Sequence, residues 1–316
     1  MEVRISPEHA ETIGARLLGA EIVSARQLSA FAGNQVFELR LRDRVAYLKL
    51  AQGADASRLT GREVAVLEYV RRRGVPAPAV EASDPTGEVA GIPCAVLADV
   101  GRSPLTGAEP VFRQVGAYLR RLHEIRAVGF GDVSAGEDVV GDDSSWRQTL
   151  ERPAVGLLSA VDAGLVDAKL LTRARSATDR FDAALDGLDH VCLIHADICP
   201  RHVYAADSSI TGIIDWGDAM AGDPTYDFGR LLHAGVRSGG IDHGRSLVSA
   251  ALSSYGDAPW LTGPRDAKLL FYAAMFALSS MAAEFASGAP SPPYWAANAV
   301  ALRTILDALD TETAPR

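Results

Sequence analysis

The chain has 316 residues, long for a single core and suited to two lobes or domains. Hydrophobic residues make up 48% and charged residues 22%, ordinary globular values that exclude a disordered or fibrous chain. Lys plus Arg total 31 against 40 Asp plus Glu, a net charge of −9; this speaks against a nucleic-acid partner and is compatible with a cationic small molecule.

The three cysteines, Cys94, Cys192 and Cys199, are odd in number and lack paired spacing, which argues against a disulfide framework or a zinc site. MEVRISPEHAETIG at the start holds no apolar signal core. The apolar run Leu269 to Ala283 is short and broken by Ser279 and Ser280, so no membrane association is expected. These features predict a cytoplasmic soluble protein, expected as a monomer.

In chain order, residues 6–19 read as a helix, with Ser6 as N-cap and Pro7 at its start. Ser29 to Asn34 is small and flexible, and its Ser29, Gly33 and Asn34 suit a loop over phosphates. Residues 36–41 alternate, with Phe37, Leu39 and Leu41 on one face; Asp43 and Arg44 turn the chain, and residues 45–50 return as a strand. Lys49 shares its face with Val45 and Tyr47, so it is expected to point inward and to need a partner. Residues 57–73 place Leu59, Glu63, Val66 and Val70 on one helical stripe. Glu63 is the acid on that stripe, and pairing it with Lys49 satisfies both.

Gly74 to Pro78 ends that helix. Residues 80–82 and 94–100 read as strands around the turn Asp84 to Gly87. Beyond Gly101 to Pro104 the composition turns helical. Phe112, Val115, Leu119 and Leu122 form an amphipathic stripe, with His123 beside it as a satisfied core histidine. The Gly-, Asp- and Ser-rich residues 129–143 read as a loop. Helices are expected over 146–170, 171–188, 246–255, 266–286 and 295–309, with another beginning over 228–234.

The most informative stretch is His195 to Asp227. It packs His195, Asp197, His202, Asp215, Asp218, Asp223 and Asp227 among apolar runs. VCLI leads in as a buried strand. Val203 to Ala205 and Ile210 to Ile214 form a hairpin around Asp207–Ser209. A turn centred on Ser208 and Ser209 sets Val203 against Ile214 and His202 against Asp215, beside the loop carrying Asp197. A metal or acid–base cluster follows from that placement alone.

H-x-D-x-x-x-x-H from His195 to His202, then IIDWGD and GDPTYD, resembles the active-site signature of the aminoglycoside phosphotransferases, which share the protein-kinase fold. The resemblance implies an α+β bilobal fold: a small N-terminal antiparallel sheet plus helix over 1–100, and a larger, mainly helical lobe over 101–316. Residues 94–100 would lead into the hinge, where adenine or guanine bonds the backbone of about Leu97 to Asp99, and Gly101 to Pro104 would cross between lobes. Asp197 would be the catalytic base and Asp215 a magnesium ligand. Lys49, paired with Glu63, would face the phosphates of ATP or GTP. Asp227 would brace the catalytic loop by accepting backbone hydrogen bonds. Most of the family has Asn where this chain has His202 and Gly where it has Ala196; the His variant resembles the branch that phosphorylates a 2″-hydroxyl. Imidazole suits magnesium less well than oxygen does, so His202 either ligates a second ion or orients a water.

The activity this implies is a nucleotide-dependent small-molecule kinase acting on a hydroxyl, of an aminoglycoside-like amino sugar or of another metabolite or antibiotic such as choline, homoserine or a macrolide. Candidate carboxylates for a polycationic acceptor are Asp142, Asp143, Asp223 and Glu284, and Trp146 and Trp295 are candidate sugar-lining rings. Two other classes remain at this point: a kinase-like protein that holds nucleotide without turnover, and a metallohydrolase using His195, Asp197, His202 and Asp215. The second leaves Lys49 and Glu63 without a task.

Overall fold

The computed structural model describes residues 4–31, 34–101, 104–105, 110–162, 167–181, 185, 188, 190–257, 265–286 and 292–313. The expected α+β kinase-like architecture is present. Helix α1 (Pro7–Leu18) opens the chain, with Ser6 as N-cap accepting from the His9 N–H. An antiparallel sheet follows, built from β1 (Ser24–Phe31), β2 (Asn34–Arg40), β3 (Val45–Ala51), β4 (Val80–Asp84) and β5 (Cys94–Ala98) in the order β1-β2-β3-β5-β4. The β5 strand therefore sits inside the sheet, between β3 and β4. Alternation puts Phe37, Leu39, Leu48, Leu50 and Val96 on one face, where they bury against Ile13 of α1.

Helix α2 (Ala56–Arg72) lies between β3 and β4 in sequence. Its Val66, Leu67 and Val70 belong to the second hydrophobic cluster, with Phe112, Leu119, Trp216 and Phe271, rather than to the sheet's own core. One helix face thus anchors to the C-terminal part while the adjoining turn carries Glu63.

The stretch 129–143 is not a loop. It holds β7 (Phe130–Ala135) and β8 (Val139–Asp143), which join β6 (Ala127–Val128), β9 (Cys192–Ile194) and β12 (Met220–Gly222) in a sheet ordered β6-β8-β7-β12-β9. Its glycines serve close packing: Gly131 has φ +79°, and a Cβ there would run into the Asp143 carboxylate. Helix α3 (Gln114–His123) buries Val115, Leu119 and Leu122 as its spacing predicts. The region expected as two long helices is split into α4 (Trp146–Gly156), α5 (Leu158–Asp162) and α6 (Ala168–Arg180), with Pro153 inside the first.

The rest is helical: α7 (Thr225–Gly239), α8 (Ile241–Tyr255), α9 (Arg265–Ala286) and α10 (Pro292–Thr313). Over Asp266–Ala286, α9 is long and apolar enough to cross a membrane, but 72% of its most apolar window is buried within the protein. It is a core helix, packed against α7 and α10.

Candidate active site

The loop from His195 to His202 hangs between β9 and a hairpin of β10 (Val203–Ala206) and β11 (Ser209–Ile213). The turn falls on Asp207 and Ser208, both at positive φ, one residue earlier than expected. A register shift between Tyr204 and Ala205 then pairs Val203 with Ile213. The Ile214 N–H donates to the His202 carbonyl at 2.9 Å, and His202 Nε2 still comes within 3.7 Å of Asp215 Oδ2. The predicted neighbours meet, through a different register.

Asp227, fully buried near the start of α7, holds the loop. Its Oδ2 accepts from the His195 N–H at 3.0 Å and its Oδ1 from the Ala196 N–H at 2.7 Å. His123 Nε2 donates to the same carboxylate at 3.0 Å, and the Tyr255 hydroxyl lies 2.9 Å from His123 Nδ1. His123 is the satisfied core histidine its position predicted. To present its N–H, Ala196 adopts φ +62°, a left-handed conformation that costs an L-residue about 1–2 kcal/mol.

His195 is a brace. Its Nε2 lies 3.1 Å from the Ile214 carbonyl and its Nδ1 takes the Asp197 N–H at 3.3 Å, which fixes a neutral tautomer. Burial holds its pKa below the usual histidine value, in keeping with that neutrality.

Lys49, Glu63 and Asp215 converge. Lys49 Nζ is 2.8 Å from Glu63 Oε1 and 3.1 Å from Asp215 Oδ1. Ala46, Leu48 and Leu50 are the core-facing residues of β3, so Lys49 points with Val45 and Tyr47 into the space between the lobes rather than into the core. Burial opposes its charge, but Glu63 and Asp215 more than offset that and raise its pKa. In return Lys49 holds the Asp215 carboxyl well below the usual range. Asp215 sits at φ +68°, also in the left-handed region.

A cleft of about 260 Å³ is lined by Asn34, Lys49, Glu63, Leu97, Asp197, Arg201, Asp215 and Asp218, among others. Of the residues expected at a nucleotide, Asn34, Lys49, Glu63 and Leu97 therefore face one space. Ser29 does not line it; it pairs with Val36 across β1 and β2. Asp99 Oδ1 takes the Tyr47 hydroxyl at 3.4 Å and the Gly101 N–H at 3.1 Å. Gly33 lies outside the described residues. Asp218 meets solvent at the cleft mouth, yet the surrounding walls, with Asp197 and Asp215 nearby, push its carboxyl up to about 7.

A model of the phosphotransferase enzyme family matches residues 24–270. The chain belongs to this family. No curated protein matches it in sequence. Its fold is similar to that of aminoglycoside phosphotransferase APH(4)-Ia in a ternary complex with ADP and hygromycin B, with TM-score 0.70, 17% identity and 97% and 99% of the two chains covered. It is also similar to APH(2")-IIa in its gentamicin complex (TM-score 0.68, 16% identity, 95% and 97%). Macrolide 2'-phosphotransferase MphH from Brachybacterium faecium shares the fold as well (TM-score 0.60, 19% identity, 93% and 98%).

Within this phosphotransferase several contacts go beyond the sequence expectations. Arg230 of α7 is buried and places Nε 2.7 Å from Asp197 Oδ1, with its guanidinium 4.1 Å from the centre of the Phe276 ring. Arg230 is three residues past Asp227 on one helix, a spacing that turns it toward the same loop. Arg62, next to Glu63, bonds the Gly217 carbonyl and places Nη1 2.6 Å from Asp132 Oδ1 on β7, and Arg58 Nη1 is 3.3 Å from Asp132 Oδ2. These pairs set the rotation of α2 that offers Glu63 to Lys49.

The candidate acceptor carboxylates do not converge. Asp143 is buried against Arg152 and Thr149. Asp223 is buried with Lys268 Nζ at 2.6 Å and the Tyr272 hydroxyl at 2.7 Å. Glu284 is buried in α9, and Asp142 is exposed on β8. Trp146 is fully buried, its Nε1 donating to Tyr272, and Trp295 is also a core residue. Of the two readings open for these rings, sugar lining or core, the structure shows core.

Proposed function

We propose that this phosphotransferase moves the γ-phosphate of ATP or GTP to a hydroxyl of a small molecule. The observation that carries the reading is Lys49 Nζ held between Glu63 at 2.8 Å and Asp215 at 3.1 Å, in the cleft that Asp197 also lines. A metallohydrolase has no use for that lysine, and a non-catalytic binder has no need to keep Asp197 and Asp215 beside it.

Asp197 accepts the proton of the acceptor hydroxyl at the oxygen that Arg230 leaves open, Oδ2. The hydroxyl oxygen forms its bond to phosphorus as the bond to the departing nucleoside diphosphate breaks. Lys49 offsets charge on the phosphates, and Glu63 keeps it aimed. Asp215 offers magnesium the hard oxygen donors it prefers, with its Oδ2 turned away from Lys49, and Asp218 supplies a further carboxylate at the mouth. Held by these carboxylates, magnesium would supply positive charge against the phosphates. His202, with Nε2 toward Asp215, is the poorer donor for a hard ion and serves it best through an intervening water.

For the acceptor, hygromycin B and gentamicin in the complexes of two similar structures support an amino sugar. One set of residues favours a second reading, an acceptor bearing an acidic group. Arg201 lines the cleft with Asp197, while Asp143 and Asp223 are already paired.

Incubating the protein with γ-labelled ATP or GTP, magnesium and a panel of amino sugars, macrolides and hydroxy acids tests both. Label on any hydroxyl supports the transfer reading, and the acceptor that takes it decides between the two classes. Nucleotide binding with no acceptor labelled would refute the transferase reading.

A further inference from the structure

The ring of His202 faces two different carboxylates. Its Nε2 looks to Asp215 Oδ2 at 3.7 Å, and its Nδ1 to Asp197 Oδ2 at 3.4 Å. A third donor, the thiol of Cys199, lies near the ring. The ligand atoms of Asp197, Cys199 and His202 all fall within 4.8 Å of one another, and all three residues are buried. We propose that these three form a second metal site, separate from the Asp215 side, for a borderline-soft divalent ion of the zinc class, and that its occupation stops phosphoryl transfer by withdrawing Asp197.

The chemistry of the donors selects the ion. A thiolate, an imidazole and one carboxylate oxygen suit zinc or cobalt and suit magnesium badly. Asp197 can serve because its oxygens divide the work: Oδ1 is held by Arg230 at 2.7 Å, and Oδ2 faces His202. Local geometry brings the other two donors together. Cys199 and His202 flank the short 3-10 turn at Pro200, closed by the His202 N–H on the Cys199 carbonyl at 3.0 Å. Asp197 lines the cleft, which gives an ion a path in and leaves the fourth tetrahedral position to water or a phosphate oxygen.

Three costs limit the affinity. Ligand atoms around tetrahedral zinc stand about 3.3–3.8 Å apart, so the three donors must close in somewhat. His202 Nδ1, now 2.8 Å from the Asp197 carbonyl, must exchange that bond for the metal, and its proton must pass to Nε2, displacing the Arg201 Nε–H that donates there at 3.0 Å. Arg230 adds a repulsive charge. The result is a reversible, inhibitory site rather than a structural one. The chain's lack of paired cysteines remains true; here a loop and one turn supply what a C-x-x-C spacing would.

Cobalt(II) added to the full-length protein is the direct probe, because a thiolate ligand gives a charge-transfer band in the near ultraviolet. The expected result is a saturable band lost in Cys199→Ser, displaced by zinc, and accompanied by loss of phosphoryl transfer in the wild type at saturating magnesium nucleotide. Cys199→Ser should keep the basal rate and resist zinc, with Cys199→Ala as the alternative if serine disturbs the loop. No thiolate band, or a band that survives in Cys199→Ser, overturns the site. A band with transfer unaffected by zinc overturns the inhibition. The inhibition arm rests on the phosphotransferase reading above, but the cobalt band does not, so failure of one is told from failure of the other.

Discussion

Lys49 and Asp215 are 166 residues apart in the chain, yet Nζ of the first lies 3.1 Å from Oδ1 of the second. Each belongs to a different part of the fold, one to an antiparallel strand and one to the loop after β11. Glu63 joins them through α2, whose far face is anchored in the C-terminal cluster. The contact therefore reports whether the two halves are closed on each other.

Replacing Lys49 with Met removes the one ammonium in this triad. Removing a fixed charge that stabilises developing negative charge typically lowers kcat by about 10²–10³. Steady-state kinetics of Lys49→Met should show a fall of that order, with a smaller one for Glu63→Gln, where the lysine keeps Asp215. Equal rates in Lys49→Met and wild type would remove the lysine from the mechanism.

Ala196 offers a stability test. Its φ of +62° is forced by the bond from its N–H to Asp227. Ala196→Gly relieves about 1–2 kcal/mol of backbone strain, offset in part by greater freedom in the unfolded chain. A rise in Tm of about 2–4 °C is expected in a thermal melt. A lower Tm would show that the strain is absent.

Asp218 gives the free protein a pH dependence of known sign. Its carboxyl is raised from 3.8 to about 7 by the desolvating cleft walls around it and by Asp197 and Asp215. Between those values the folded chain binds the proton more tightly than the unfolded chain does, so stability falls as pH rises from about 4 to about 7 and is flat above. Asp218→Asn should melt higher than wild type at pH 8, and the gap should close toward pH 4. Identical melts at pH 8 would show that Asp218 is not crowded.

Much of this site was legible in the sequence because phosphoryl-transfer chemistry restricts residue types. Asp197, His202, Asp215 and Asp227 stand out as ionisable groups among buried apolar runs. Strand and helix periods put Lys49 and Glu63 on usable faces, although the lysine's face proved to be the cleft and not the core. The rest depends on contacts no local pattern encodes. The 129–143 hairpin looked like a loop because its glycines and aspartates carry little strand signal; its distant partner is 220–222, which pairs in turn with 192–194. Asp143 and Asp223 looked available until the fold brought Arg152 and Lys268 to them. Arg230 on Asp197 was missed because an arginine on an amphipathic helix reads as solvated surface, and its i, i+3 relation to Asp227 was the clue.

The central claim is that Asp197 takes the acceptor's proton in a cleft that binds nucleotide without it. Single-turnover transfer from labelled nucleotide, measured beside nucleotide affinity in Asp197→Asn, tests this most directly. The expected outcome is unchanged affinity with transfer slowed by about 10²–10⁴, the range for loss of a general base. Transfer at the wild-type rate in Asp197→Asn would contradict it.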